Sequence, residues 1–339
     1  MPIVAKIVIG VLPVLLFLAA LSWLDNYRLV RLRSVLTAIG VGAVVALGCM
    51  YLAGVVLAGG RVDLQTYSRY FAPLLEETGK ALLIAILIRF GRIGFMVDGA
   101  ILGFAVGAGF ATVENVYYLW NLPGAQMLTW VVRGLGTAVM HGGATAIMAI
   151  LSTTLAERRG RGTLGYCLPG LAVAVVIHSI FNHFLLGPLH STLLVLVVLP
   201  ALMVACFVRS ERSLRKWLDT GFGTDAELLE MIRTGTVLSS KIGQYLQSVI
   251  ERLPGDIQAD MLCYLRLYVE LSIQSKVILL LQETGLESPP DPEVRDKFTE
   301  LRFLEKHIGA VGMRLLSPLL HTSPRDLWQL HHLRGEMPA

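Results

Sequence analysis

Seven stretches of this chain, 6–24, 35–58, 71–90, 95–119, 128–156, 165–187 and 189–209, each supply about 20 or more mostly apolar residues, the length an α-helix needs to cross a bilayer. The expected fold is therefore all-α. A polytopic transmembrane bundle of about seven helices occupies 1–209, and a cytoplasmic helical region occupies 210–339. Composition agrees, because only 16% of the residues are charged against about 25% in an ordinary soluble domain. Most of that charge falls in the last 130 residues. The net charge of +4 is too small to point to nucleic acid. Cys49, Cys167, Cys206 and Cys263 show no CxxC spacing, which argues against a disulfide framework or a Cys-rich zinc site.

The first run is long and no small-residue cleavage site follows it, so it reads as a retained helix. Basic residues orient the bundle. Arg28, Arg31, Arg33, Arg89, Arg92, Arg158, Arg159, Arg161, Arg209, Arg212, Arg215 and Lys216 fall on one side; Lys6, Arg61 and Arg69 fall on the other. This bias predicts an integral, multi-pass membrane protein with its N-terminus outside and its C-terminal region in the cytoplasm. The last two runs meet in a very short turn at Pro188, where a re-entrant hairpin is the alternative.

Charges at bilayer depth are expensive and mark function by default. The third run carries Glu76, Glu77 and Lys80. The fourth carries Glu114 and Asn115, the fifth His141, and the sixth His178 and Asn182. Counted at about 1.5 Å per residue, Glu76, Glu114, His141 and His178 all fall in the outer half of the membrane. Glu76 and Lys80, Phe110 and Glu114, and His178 and Asn182 are spaced to share a helix face. Gly99, Gly103 and Gly107 recur every fourth residue, the pattern of a closely packed helix, so the fourth run is expected at the centre with Glu114 inward. Asp98, near water at the inner end, is set apart from the cluster. Arg133 is expected to reach outward to the interface. His183 is read as structural.

Bland readings exist for each group. Pro73 at the head of the third helix would put the glutamates near the positive end of its dipole. A lone buried histidine is usually a hydrogen-bonded core residue. Together, however, the residues suit hydrolysis. A carboxylate can serve as general base to water. A histidine can share that water, and a His–Asn pair can donate to an oxyanion. Two histidines and a glutamate, here His141, His178 and Glu114, are also a ligand set for one divalent metal such as zinc. The chain has no HExxH, so metal-bound and metal-free hydrolysis both stay open.

In order along the chain, Glu76-Glu77-x-x-Lys80, Phe110-Ala-x-x-Glu114-Asn115, His141 in MHGGATA and His178-x-x-x-Asn182 resemble the motifs of the PrsW family. These are membrane-embedded proteases related to the prenyl-protein endopeptidases and the bacteriocin-processing enzymes. The resemblance covers roughly 70–190, with the core motifs in 71–187. It implies cleavage of membrane-anchored proteins near the extracytoplasmic face, in some members of an anti-sigma factor. It further implies Glu76 as water-activating base, Glu114 as its partner, His178 and Asn182 as the oxyanion pair, and His141 as an added histidine, with Glu77 also in the catalytic set and Lys80, Phe110 and Asn115 in support. The alternatives are a proton- or ion-coupled carrier and a non-catalytic scaffold of protease-like fold.

The C-terminal region reads as amphipathic helices at 225–252, 257–284 and 292–319, with a short one near 324–333. The expected breaks are Pro254-Gly255 and a turn ending in Pro289-Pro290. Packing, homo-oligomerisation and docking of a cytoplasmic partner all fit this region. His331-His332 is read as part of a solvated tail. The partners expected for the whole chain are the lipid bilayer and a membrane-anchored substrate, with no nucleic acid.

Overall fold

The structure, a computed structural model, describes residues 3–60, 62–159, 164–236, 244, 253–286, 291–317, 320 and 324–335. Arg61, Arg161, Pro289, Pro290 and most of the expected helix beyond residue 236 lie outside the described residues. All regular structure described is helical. Hydrocarbon offers the backbone no hydrogen-bond partner, so a spanning segment must satisfy its own N–H and C=O groups. The helices are α1 (Ile3–Trp23), α2 (Leu32–Ala58), α3 (Ala72–Arg89), α4 (Met96–Asn121), α5 (Ala138–Arg159), α6 (Leu168–His183), α7 (Pro188–Arg233), α8 (Gly255–Glu283), α9 (Pro292–Leu316) and α10 (Pro324–Gly335). Two compact units divide the chain, Met1–Ser210 and Glu211–Ala339.

Each of the seven apolar runs becomes a helix. Six described helices are long and apolar enough to cross a membrane. The exception is α3, where Glu76, Glu77 and Lys80 interrupt the apolar sequence. Two helices are entered through π turns: Tyr67–Phe71 leads into α3, and Val132–Thr137 leads into α5. Such turns are uncommon and recur at functional sites. The turn between α6 and α7 is closed by Phe184 and Gly187 in left-handed conformations. One expectation fails here. The last membrane helix does not stop at 209 but runs on to Arg233. Residues 201–233 contain no proline, and an internal glycine such as Gly221 weakens a helix by about 1 kcal/mol without ending it.

The centre of the first unit is α4, buried along its whole length from Val97 to Ala111. Its glycines let two neighbours approach to backbone contact. A Cβ on Gly103 would lie 2.7 Å from the Thr145 carbonyl oxygen, and one on Gly107 would lie 2.3 Å from that of His141, both in α5. On the other side, a Cβ on Gly109 would lie 2.0 Å from the Ile39 oxygen in α2. Close packing of small residues is what holds helices together where lipid removes the hydrophobic driving force.

In the second unit, Leu228, Met261, Leu265, Phe298 and Leu301 share one core. Beside it lies a buried polar group in which Lys276 donates to Asp225 and Ser272. His332 is not solvated as expected: it is buried and stacks on Trp328 at 5.0 Å.

The glycine contacts generate a paired prediction. Gly107→Ala should lower stability by about 1–3 kcal/mol, the usual cost of overpacking. Gly48→Ala in α2, which meets nothing within 4 Å, should be neutral or stabilising. Thermal unfolding of both variants in detergent checks this; equal stability would mean that α4 and α5 do not approach as described.

Candidate active site

Glu77 and Lys80 face the interior of the bundle from α3, and neither side chain has any exposed surface. Lys80 Nζ lies 2.5 Å from Glu77 Oε1. The ion pair is thus i,i+3 through Glu77, although Glu76, at i,i+4, is also spaced to share a helix face with Lys80. A buried charge must be paired to persist, and each of these residues is the other's partner. Lys80 also reaches His141 Nδ1 at 3.1 Å and sits 4.7 Å over the Phe110 ring. The Phe110 ring in turn packs 5.1 Å from His141.

These contacts determine the histidine tautomers. An ammonium can only donate, so His141 Nδ1 accepts from Lys80. The hydrogen of neutral His141 is then on Nε2, which donates to Glu114 Oε2 at 3.1 Å. A carboxylate can only accept, so His178 Nδ1 carries a hydrogen and donates to Glu77 Oε1 at 2.9 Å. That leaves a lone pair on His178 Nε2, which faces Glu76 Oε2 across 3.9 Å. The His141 and His178 rings meet edge to face, 4.7 Å apart. Glu76 Oε2 and Glu77 Oε2 are both buried with no hydrogen-bond partner.

Glu114 is turned inward, as the glycine pattern predicts. Two expected positions differ. Arg133 does not reach outward: its Nη2 lies 3.3 Å from Glu114 Oε2, its Nε donates to Asn115 Oδ1 at 2.9 Å, and its guanidinium lies 3.7 Å over Tyr118. The π turn that contains it explains the error. One extra residue rotates the helix by about 100° relative to the 3.6-residue repeat. Asn182, expected beside His178 as an oxyanion donor, instead donates to the Ser68 carbonyl at 2.8 Å in the π turn before α3. Ser179 donates to Arg69 O there, at 2.6 Å. Asn115 donates to Gly10 O in α1. His183, on the structural side of α6, contacts Ser179 O and Tyr70.

Glu76, His141 and His178 each offer a ligand atom, and these atoms lie within 4.8 Å of one another. This grouping has Glu76 where the sequence reading placed Glu114. The donor set fits one divalent ion. Glu76 Oε2 is unpartnered, and His178 has Nε2 open with a carboxylate behind Nδ1, the usual backing of a metal-bound histidine. His141 would have to exchange its bond to Lys80 or Glu114 to join them. The same pair of bases, Glu76 and His178, is also placed to share one hydrolytic water.

Residues 30–208 match a family model described as PrsW family intramembrane metalloprotease. The match covers over half of the chain and every charged residue of the cluster. No curated protein and no solved structure matches.

The Glu77–Lys80 pair generates a stability prediction. Lys80→Met leaves Glu77 buried and unpaired, and should cost about 3–5 kcal/mol. The double variant Glu77→Gln/Lys80→Met should recover most of that loss. Additive losses in thermal unfolding would show that the two charges do not depend on each other.

Proposed function

The chain belongs to the PrsW family of intramembrane metalloproteases, and from that premise we propose that the α3–α6 cluster hydrolyses peptide bonds of membrane-anchored proteins near the extracytoplasmic face. It is an integral membrane protease. The location of cleavage rests on the basic-residue bias, which puts the entry to α3 outside. Anti-sigma-factor-like proteins are the substrate class suggested by the family resemblance.

The observation that carries this reading is the opposition of Glu76 Oε2 and His178 Nε2 across 3.9 Å. Two proton acceptors facing each other across a gap wide enough for one water, in an apolar bundle, are costly to keep and suited to taking a proton from that water. In this reading Glu76 accepts the proton of the attacking water. Glu77 holds the His178 tautomer, so that Nε2 points its lone pair at the same water. Lys80 keeps Glu77 ionised and fixes His141 as a donor to Glu114. Glu76, His141 and His178 are also the residues that would hold the family's metal ion. Bound there, such an ion would act as a Lewis acid and bring the pKa of its water to about 7.

Mass spectrometry of membrane-protein termini, in cells expressing wild type or Glu76→Gln at matched levels, tests the assignment. New termini in the outer half of other proteins' spans, or just outside them, should appear with wild type and be absent with Glu76→Gln. Matching sets, at rest and under stress, would sink the proteolytic reading and leave the carrier and scaffold alternatives. Chelation of isolated membranes then separates the two ways of activating water: loss that zinc restores supports a metal on Glu76, His141 and His178, whereas persistence leaves Glu76 as base alone.

A further inference from the structure

Arg133 is fixed on three sides. Its Nε donates to Asn115, and Asn115 is itself tied to the α1 backbone through Gly10 O at 2.6 Å. Tyr118 stacks beneath its guanidinium. Its Nη2, although 3.3 Å from Glu114 Oε2, makes no hydrogen bond and is buried. A guanidinium carries five N–H donors in a rigid fork. The structure therefore holds a preorganised cation with a donor not yet engaged.

The rest of the Arg133 side chain keeps some exposure, although Nη2 itself is buried. The Arg133, Glu114 and Glu76 side chains retain 13%, 18% and 15% of their surface. Glu77, Lys80, His141 and His178 retain 3% or less. The first three line the mouth of the cluster, and Arg133 is within Coulombic reach of Glu76. The amide expected to meet an oxyanion, that of Asn182, is committed to Ser68 O.

Resting on the proteolytic reading above, we propose that Arg133 is a catalytic residue that stabilises the oxyanion of the tetrahedral intermediate. As the water oxygen bonds to the scissile carbonyl carbon, its proton passes to Glu76 and the C=O π pair moves onto the carbonyl oxygen. Arg133 meets that negative charge with an N–H. When the C–N bond breaks, the pair returns to re-form the carbonyl and the leaving nitrogen takes the proton from Glu76. Lysine is no substitute, because a flexible point charge cannot hold both Asn115 and the oxyanion.

The test uses isolated membranes of cells expressing full-length wild type, Arg133→Ala, Arg133→Lys or Glu76→Gln. It reads the rate at which the wild-type termini appear, with thermal unfolding of each purified variant alongside. Arg133→Ala should keep its fold and slow cleavage about 100- to 1,000-fold, the effect of losing one oxyanion donor. Added methylguanidinium should restore part of the rate to Arg133→Ala and none to Glu76→Gln. If Arg133→Ala unfolds early, Arg133→Lys is read in its place and should show the same loss with the fold kept. Cleavage by folded Arg133→Ala or Arg133→Lys within about tenfold of wild type, well short of that donor effect, overturns the proposal while Glu76 keeps its role. Equal termini from wild type and Glu76→Gln sink the proteolytic reading, and this inference with it.

Discussion

Glu77 and Lys80 lie 2.5 Å apart with no exposed surface. The idealised cost of moving one such ion from water into a dry interior is of order 20 kcal/mol, so neither could stand alone among the apolar side chains of α3. Paired, they let the bundle keep two ionised groups of zero net charge at its centre. The pair also makes directional contacts. Glu77 orients His178 by accepting from Nδ1, and Lys80 orients His141 by donating to its Nδ1. Two tautomers on two other helices thus follow from one ion pair on a third. The order of the remaining groups depends on that: an open lone pair toward Glu76, and an N–H toward Glu114.

Such contacts demand that four helices hold their side chains to within a few tenths of an ångström. Glycine supplies the means. Gly103 and Gly107 bring α4 onto α5 at the level of Thr145 and His141, so the backbone that carries His141 touches the helix that carries Glu114. The polar contacts at the entry to α3 do similar work. Asn182 and Ser179 bind carbonyls of Ser68 and Arg69 in the π turn before α3, and Pro73, five residues after Ser68, has no N–H to offer that carbonyl. Residues that looked catalytic by motif and residues that looked structural therefore share one task, which is to fix how α6 meets α3.

The sequence shows plainly what depends on composition and on the 3.6-residue repeat. The apolar runs, the central position of α4 and the convergence of Glu76, Glu114, His141 and His178 are legible, because bilayer length, small-residue spacing and the cost of burial act locally or residue by residue. What is not legible depends on phase. The π turns at 67–71 and 132–137 rotate what precedes them relative to the helices they enter, so Arg133 turns inward where a regular helix would face it outward. The choice of Glu77 over Glu76 as partner of Lys80 is a matter of one residue on a helix that could present either. Continuation of α7 past Arg209 was hidden because a change from apolar to charged sequence marks the end of a membrane span, not the end of a helix.

Charge balance at the mouth of the site links these observations. Inside, Glu77 and Lys80 cancel. Outside them stand two carboxylates, Glu76 and Glu114, and one cation, Arg133, whose positions differ in kind. Glu114 is paired with Arg133 and accepts from His141. Glu76 has no cation in contact and an unpartnered oxygen. Two acidic residues of the same type, on adjacent helices and at similar exposure, are thereby divided into one with a cation and a donor against it and one with neither. An isolated motif does not separate the two; the placement of Arg133 and Lys80 does, and it supports the proposal that Glu76 does the chemistry.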